Sequence, residues 1–276
     1  MKYNMLYITG ILSVLSLLYG CFIMNTKTNA FPSHPEITGT FGVTIDATSG
    51  EILFGKNERD ISSPASLAKM MTTLLLLEQV KPNEQITITQ HAIDTESGTS
   101  KITLHAGERL TRDEAIKLML TISVDQVAES VAEHIAGSKE QFVLLMNERA
   151  KQLGATNTSF QNASGADTLG QHITAYDFAL ITKNAITHPE VLHAMSQVTT
   201  TVHTSLQQKE ITNDGRKELF HDPYAIASKS GRTDASGYTL VAIEEKNGRK
   251  IITVVLKSDK EHLYKDAELM AHFTLR

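Results

Sequence analysis

The chain of 276 residues is long enough for one large domain or two closely packed subdomains, and 41% of its residues are hydrophobic, as in a typical globular protein. A formal net charge of −5 without a long basic run argues against nucleic acid as a partner. The single cysteine, Cys21, excludes disulfide bonds within the chain and cysteine-based metal sites.

The first 30 residues differ in kind from the rest of the chain. Lys2 is the only charged residue before Lys27, and the residues between them are mostly apolar. A basic start and an apolar core predict an export signal, and small residues after Lys27 offer a cleavage site. The same stretch is long enough to remain as a membrane anchor, and the residues up to Cys21 loosely resemble a lipoprotein signal. We therefore predict a signal peptide or N-terminal anchor over 1–30 and an exported domain over 31–276.

Strand signals come first in the exported domain, and helix signals follow. Alternating residues over 41–46 and 51–54, joined by a turn, predict a hairpin. An apolar run predicts a helix from about Ser66 to Val80. Capping and stop signals predict further helices over about 111–122, 125–136, 138–154 and 174–188.

Strand signals return near the end of the chain. Strands are predicted over 225–230, 238–244 and 249–256, with an Asn247-Gly248 turn between the last two. A final amphipathic helix places four apolar side chains on one face: Leu263, Ala267, Met270 and Phe273. The predicted fold class is α+β, with one antiparallel sheet built from both chain ends, covered by helices and carrying an inserted helical lobe. The functional site is expected where this lobe meets the sheet.

A serine followed three residues later by a lysine, at the start of the first predicted helix, is the strongest chemical signal. Positions i and i+3 share one face of a helix, so Lys69 can lie over the hydroxyl of Ser66. A serine hydroxyl needs a base, and a lysine serves only when burial or a second cation lowers its pKa. The pair predicts acyl transfer through a serine ester, which also requires a second cation, a proton relay and an oxyanion hole.

Two further motifs fall on the elements where such partners are needed. Ser123-Val124-Asp125 lies at a predicted helix–helix junction, and Lys229-Ser230-Gly231-Arg232-Thr233 lies on the strand before the last hairpin. The patterns S-x-x-K, S-D-N and K-T-G together mark class A β-lactamases and penicillin-binding proteins. Each pattern alone arises by chance, whereas all three in this order favour a common site.

From about Phe41 to Phe273, the sequence resembles the serine D-alanyl-D-alanine carboxypeptidases, which are low-molecular-mass penicillin-binding proteins. Besides the three motifs, the resemblance rests on the opening hairpin and on residues 63–72, 132–138 and 162–165. It implies a DD-peptidase catalytic domain with the fold of serine β-lactamases over 31–276. Together with the predicted export signal, it implies a location in the periplasm or on the extracytoplasmic face of a bacterial membrane. For this chain we expect membrane attachment only through the N-terminal segment.

The resemblance also implies catalytic roles. Ser66 would be the nucleophile and Lys69 its base, while Ser123 would relay protons toward the leaving amine. Lys229 would hold positive charge near the site and help to lower the pKa of Lys69.

Substrate binding is likewise implied for the strand motif. Lys229, Ser230 and Thr233 would bind the terminal carboxylate of the substrate. The backbone N–H groups of Ser66 and Arg232 would form the oxyanion hole, for which Gly231 leaves room.

The sequence departs from the family pattern in three places. Ser230 replaces a threonine, which keeps the hydroxyl, and no arginine occurs between Ser258 and Phe273. Asp125 replaces an asparagine, and an ionised carboxylate cannot donate to a substrate carbonyl. A carboxylate near Lys69 also favours the charged lysine, so we expect activity below that of the family.

The implied function is removal of the terminal D-alanine from peptidoglycan stem peptides, with β-lactam antibiotics acylating the same serine and no metal ion or cofactor needed. A DD-endopeptidase acting on cross-links would use the same residues. A class A β-lactamase is disfavoured because no glutamate occurs between Glu148 and Glu190, where its deacylating residue is expected. A wall-binding module weakened by Asp125 is the non-enzymatic alternative.

Other polar residues receive simpler interpretations. His134 and His172 are interpreted as packing or loop histidines, because a lysine already serves as base. The acid-rich loops near Glu84 and Glu108 are predicted to be solvated surface.

Overall fold

Strands from the two ends of the chain meet in one antiparallel sheet in the computed structural model, which describes residues 34–96 and 101–276. In chain order the strands are β1 (Phe41–Asp46), β2 (Ile52–Lys56), β3 (Ile61–Ser62), β4 (Gln85–Thr87), β5 (Arg109–Thr111), β6 (Ile173–Thr174), β7 (Thr199–His203), β8 (Gln208–Thr212), β9 (Ala225–Thr233), β10 (Gly237–Lys246) and β11 (Arg249–Ser258). The central sheet has the order β2-β1-β11-β10-β9, and each pair in it is antiparallel. The α+β prediction is therefore confirmed.

Most helices lie between β2 and β9 in the chain. A 3-10 helix, Ala65–Ala68, leads into the first of them. The α-helices are α1 (Lys69–Gln79), α2 (Gln90–Thr95), α3 (Arg112–Thr121), α4 (Asp125–Ala136), α5 (Lys139–Gln152), α6 (Ala175–Ala185), α7 (Pro189–Ser196), α8 (Asp214–Leu219) and α9 (Leu263–Thr274). Two of these helices, α6 and α9, pack on the sheet, and the other helices between β3 and β9 form the inserted lobe.

The sheet buries both of its faces. Along β10, Val241 and Ile243 join the large core that also contains the helices of the lobe. Leu240 and Ala242 point to the opposite face, where they pack against Ala267 and other residues of α9. Because side chains alternate along a strand, an apolar strand of this kind belongs at the centre of a layered fold.

The local signals in the sequence place the helix ends and the last turn well. Thr111 and Ser138 accept hydrogen bonds from the backbone of the first turns of α3 and α5. Gly137 ends α4 with a φ of 75°, a conformation that glycine adopts without the steric penalty of a side chain. Asn247 and Gly248 also have positive φ, which the tight turn between β10 and β11 requires.

The short elements were not predicted from the sequence. They include the three two-stranded pairs β3–β6, β4–β5 and β7–β8 and the six-residue helices α2 and α8. Pro189 follows the end of the helix predicted up to 188, but it also occupies the first turn of α7. A proline has no N–H to lose there, so it can begin a helix as well as end one.

The interpretation of Glu108 as solvated surface is wrong. Its side chain is fully buried and accepts hydrogen bonds from the Gln207 side chain at 2.9 Å, the His105 backbone at 3.0 Å and the Thr204 hydroxyl. Two of these donors, Thr204 and Gln207, lie about a hundred residues after Glu108 in the chain, so local charge density could not reveal them. Glu84, in contrast, is exposed and pairs with His134 at 3.0 Å.

The predicted signal, anchor or lipoprotein segment over 1–30 lies outside the described residues. No helix within the described ranges is both long and apolar enough to cross a membrane. The division of the chain at residue 30 remains a prediction.

Candidate active site

Ser66 and Lys69 face each other where the 3-10 helix passes into α1. Lys69 Nζ lies 3.0 Å from Ser66 Oγ, as the spacing of three residues predicts. Ser66 keeps partial access to solvent, whereas Lys69 is completely buried. A nucleophile that substrate can reach and a base shielded from water therefore lie within hydrogen-bond distance.

Lys69 has three hydrogen-bond partners, which is the full capacity of an ammonium group. Besides Ser66, they are the backbone carbonyl of Ser164 at 2.6 Å and the Asp125 carboxylate at 2.5 Å. A neutral amine would keep two donors for Ser164 and Asp125 and turn its lone pair toward the Ser66 hydroxyl. Loss of one proton therefore converts this arrangement into a serine–base pair.

Burial and acidic neighbours act on Lys69 in opposite directions. Burial is the largest influence and lowers the pKa of Lys69, whereas the negative charges of Asp125 and, more weakly, Glu96 raise it. Burial and the nearby carboxylate of Asp125 raise the pKa of Glu96 to about 7. Sequence reasoning missed Glu96, because it follows α2 and approaches Lys69 only through the fold.

The second lysine of the site, Lys229, lies beside the hydroxyl of Ser123. Lys229, on β9, donates to Ser123 Oγ at 3.0 Å and to the Ser230 carbonyl. Ser123 has a positive φ of 65° between α3 and α4, an unusual conformation for serine. Burial and the positive charges of Lys69 and Arg216 lower the pKa of Lys229 well below its ordinary value. The predicted second cation and proton relay are thus in contact.

Arg216 is a buried cation that the sequence analysis did not identify. Only 1% of its surface is exposed, and its guanidinium donates to four backbone carbonyls, those of Leu120, Ala194, Gln197 and Ser228. Burial lowers the pKa of Arg216 to about 10. Leu120 belongs to α3, and Ser228 precedes Lys229 on β9. Arg216 therefore links the lobe to β9 next to Lys229.

The backbone of Gly231 comes very close to the nucleophile. A Cβ placed on Gly231 would lie 2.8 Å from the Ser66 backbone nitrogen and 3.1 Å from Ala65 Cβ. Any side chain here would crowd the N–H group of Ser66, which is one of the two predicted oxyanion donors. The space that the sequence analysis assigned to Gly231 is therefore needed on steric grounds.

The remaining strand-motif residues line the opening of the site. A cavity of about 550 Å³ is bordered by Ser66, Ser123, Asp125, Ser230, Gly231, Arg232, Tyr238, Lys260 and Tyr264, among others. Burial raises the pKa of Tyr264, and the Ser230 side chain acts in the opposite direction. Lys260 is a cation in the segment where no arginine occurs.

Thr233 has a partner that the sequence did not suggest. Its hydroxyl donates to Asp167 Oδ1 at 2.6 Å, while Asp167 Oδ2 accepts from the Ala235 backbone at 3.1 Å. The single hydroxyl proton of Thr233 is thus directed toward a carboxylate. A substrate carboxylate at this position would meet the negative charge of Asp167 as well as the lysines.

The residues that the sequence predicts for acyl transfer through a serine therefore converge at one cavity. The sequence-predicted residues Ser66, Lys69, Ser123, Asp125, Lys229, Ser230, Gly231, Arg232 and Thr233 all lie in or beside it. The arrangement defines a serine site with a lysine as its candidate base.

Comparison of the sequence with known protein families identifies the family to which this serine site belongs. Residues 27–260 match the family profile described as D-alanyl-D-alanine carboxypeptidase, which covers most of the chain. The chain belongs to this family.

Named relatives agree with the family profile. The D-alanyl-D-alanine carboxypeptidase DacF of Bacillus subtilis is 32% identical over 219 residues, which cover 77% of this chain and 56% of the relative. DacD of Escherichia coli is 31% identical over 241 residues, covering 83% and 60% respectively. The chain thus spans less than two thirds of the length of these relatives.

Solved structures agree at the level of the fold. Penicillin-binding protein D2 from Listeria monocytogenes, in its ampicillin-bound form, superposes with a TM-score of 0.78 and 26% identity, covering 88% of this chain and 99% of that one. A D-alanyl-D-alanine carboxypeptidase from Mycobacterium tuberculosis gives a TM-score of 0.80 at 23% identity, covering 90% and 95%.

Proposed function

We propose that this chain is a serine DD-carboxypeptidase that removes the terminal D-alanine from peptidoglycan stem peptides. The observation that carries the proposal is the buried Lys69 amine 3.0 Å from the accessible Ser66 hydroxyl, in a family described as D-alanyl-D-alanine carboxypeptidases. The export predicted from residues 1–30 would bring the domain to the side of the membrane where this substrate is assembled.

The reaction follows from the positions of these groups. Neutral Lys69 takes the hydroxyl proton as Ser66 Oγ bonds to the carbonyl carbon between the two D-alanines, and the N–H groups of Ser66 and Arg232 stabilise the oxyanion. The C–N bond then breaks, and the proton passes by way of Ser123 to the departing amine of D-alanine. Water next attacks the ester, returns a proton to Ser66 and releases the shortened peptide.

β-Lactams would acylate Ser66 by the same route, and the reaction would stop at the ester. The relative from Listeria monocytogenes is described in an ampicillin-bound form, which supports acylation of Ser66 by such compounds. When the lactam C–N bond breaks, the leaving amine stays tethered to the acyl group through the rest of the molecule, so it cannot diffuse away as D-alanine does.

A fluorescent penicillin and a defined pentapeptide test the proposal together. We expect a stable adduct on Ser66, release of D-alanine from the pentapeptide, and loss of both in Ser66→Ala. Ser196→Ala is the matched control and should leave both intact; it removes a hydroxyl at the end of α7 that donates to the His193 carbonyl and accepts from the Gln197 side chain.

Three results would overturn the proposal. Rapid loss of the adduct without D-alanine release would indicate a β-lactamase. Cleavage of a cross-linked dimer without D-alanine release would indicate an endopeptidase. The absence of any adduct or cleavage would indicate a non-catalytic wall-binding protein.

A further inference from the structure

Away from the serine site, two helices of the lobe bring three ligand-bearing side chains together. His91 lies on α2, and Glu129 and Glu133 lie one turn apart on α4. One nitrogen or oxygen from each residue lies within 4.8 Å of the others, and His91 Nδ1 is 2.5 Å from Glu133 Oε1. The spacing of four residues on α4 directs both carboxylates to one face.

Glu129 is the unusual member of this group. Only 1% of its surface is exposed, and neither of its carboxylate oxygens has a hydrogen-bond partner among residues 34–96 and 101–276. A carboxylate buried without a partner is costly, because it loses water and gains nothing in return. Its oxygens face His91 and Glu133, so a cation between these residues would remove that cost.

The access and chemistry of the group suit a metal ion. His91 is exposed and Glu133 is half-buried, so the group opens to solvent on one side and leaves room for water ligands. The charges of Lys139 and Glu140 also act on Glu129. The three glutamates of this region outnumber its one lysine, so a divalent cation would offset their charge when they are ionised. An imidazole nitrogen with two carboxylate oxygens is typical of zinc and similar first-row metals.

We propose that His91, Glu129 and Glu133 form a binding site for a divalent first-row transition metal of the zinc type, separate from the serine site. His91 Nδ1 and one oxygen from each glutamate supply three ligands, and water completes the coordination. The proton now held between His91 and Glu133 leaves to solvent when the metal binds.

Such a metal would join α2 to α4. Thr89, the N-cap of α2, already bonds to the Ser130 hydroxyl at 3.2 Å, so the two helices touch beside the site. The chain continues from α2 directly into Glu96, which acts on the charge of Lys69. The metal would therefore steady the segment that presents Glu96, without taking part in acyl transfer.

Direct binding of Co²⁺ and Zn²⁺ to the untagged full chain tests the site. We expect one Co²⁺ per chain with visible absorption bands, displacement of Co²⁺ by Zn²⁺, and a rise in Tm with either metal. In Glu129→Gln and in His91→Ala, the Kd should rise by at least ~10-fold and the rise in Tm should disappear. His91 is exposed, so His91→Ala keeps the fold even if Glu129→Gln does not.

His134→Ala is the matched control, because His134 on the same helix also pairs with a glutamate, Glu84, but has no third ligand among the described residues. It should bind metal as the wild type does. The proposal is wrong if the wild type binds no metal, if both site variants bind as tightly as the wild type, or if only His134→Ala loses binding.

Discussion

At the scale of single residues, the ion pair between Lys69 and Asp125 acts against burial on the protonation of the candidate base. The distance of 2.5 Å supports the expectation that a carboxylate at position 125 favours charged lysine. Burial opposes this effect and lowers the pKa of Lys69. As the pH rises through about 7, Glu96 also becomes charged and adds to the effect of Asp125. The site therefore contains both a source of base activity and a restraint on it.

The variant Asp125→Asn should release this restraint. Without the negative charge the pKa of Lys69 falls, so the rising limb of the pH profile for β-lactam acylation moves to lower pH. Each unit of that fall raises the neutral fraction of Lys69 about tenfold wherever most of the lysine is charged. Stopped-flow acylation with a chromogenic β-lactam across pH measures this shift.

Asp113→Asn serves as the control, because it removes a carboxylate from the first turn of α3. It should leave the profile in place. An Asp125→Asn profile that overlays that of the wild type would mean that Asp125 does not govern Lys69.

At the scale of elements, the contact between β9 and the turn that carries Ser66 shapes the oxyanion site. Gly231→Ala would place Cβ 2.8 Å from the Ser66 nitrogen and 3.0 Å from Thr239 Oγ1. Loss of one oxyanion donor costs ~10²–10³ in rate, so we expect a decrease of that order in β-lactam acylation. The same kinetic assay and a thermal melt measure the change in rate and in stability.

A second glycine of the sheet provides the comparison. In Gly55→Ala, on β2, the nearest contact of Cβ is the flexible carboxylate of Glu58, so acylation should be unchanged. If Gly231→Ala acylates as fast as Gly55→Ala, Gly231 is not needed for access to the Ser66 N–H group.

At the scale of the whole molecule, a buried acid in the central sheet links stability to pH. Glu244 on β10 is completely buried, and its Oε2 accepts from Thr253 at 3.0 Å, while Oε1 has no hydrogen-bond partner in the described part of the chain. Burial raises the pKa of Glu244 well above its ordinary value of 4.5. The folded protein then holds a proton that the unfolded chain releases, so this residue contributes stability at low pH that is lost as pH rises above about 4.5.

Glu244→Gln should remove this loss, because an amide does not ionise. Relative to the wild type, its free energy of unfolding should increase between about pH 5 and about pH 8, as measured by urea denaturation. Glu245→Gln, at the more exposed neighbouring position, should show no such trend. A difference between Glu244→Gln and the wild type that stays constant with pH would mean that Glu244 titrates normally in the folded state.

The sequence by itself determined the features that depend on neighbouring residues. The Asn247-Gly248 turn, the caps of α3 and α5 and the Ser66–Lys69 spacing rest on contacts within about four positions, so local patterns reveal them. The three motifs also indicated which distant segments would meet, since a serine site needs a base, a relay and an oxyanion hole.

Only the tertiary structure decided how those groups are charged and what else surrounds them. Glu96, Asp167 and Arg216 reach the site from segments with no motif, and Glu108 proves to be buried rather than solvated. Their burial and partners arise when segments far apart in the chain pack together. Since a pKa depends on solvent exclusion and on every nearby charge, the state of Lys69 belongs to the folded molecule and not to its motif.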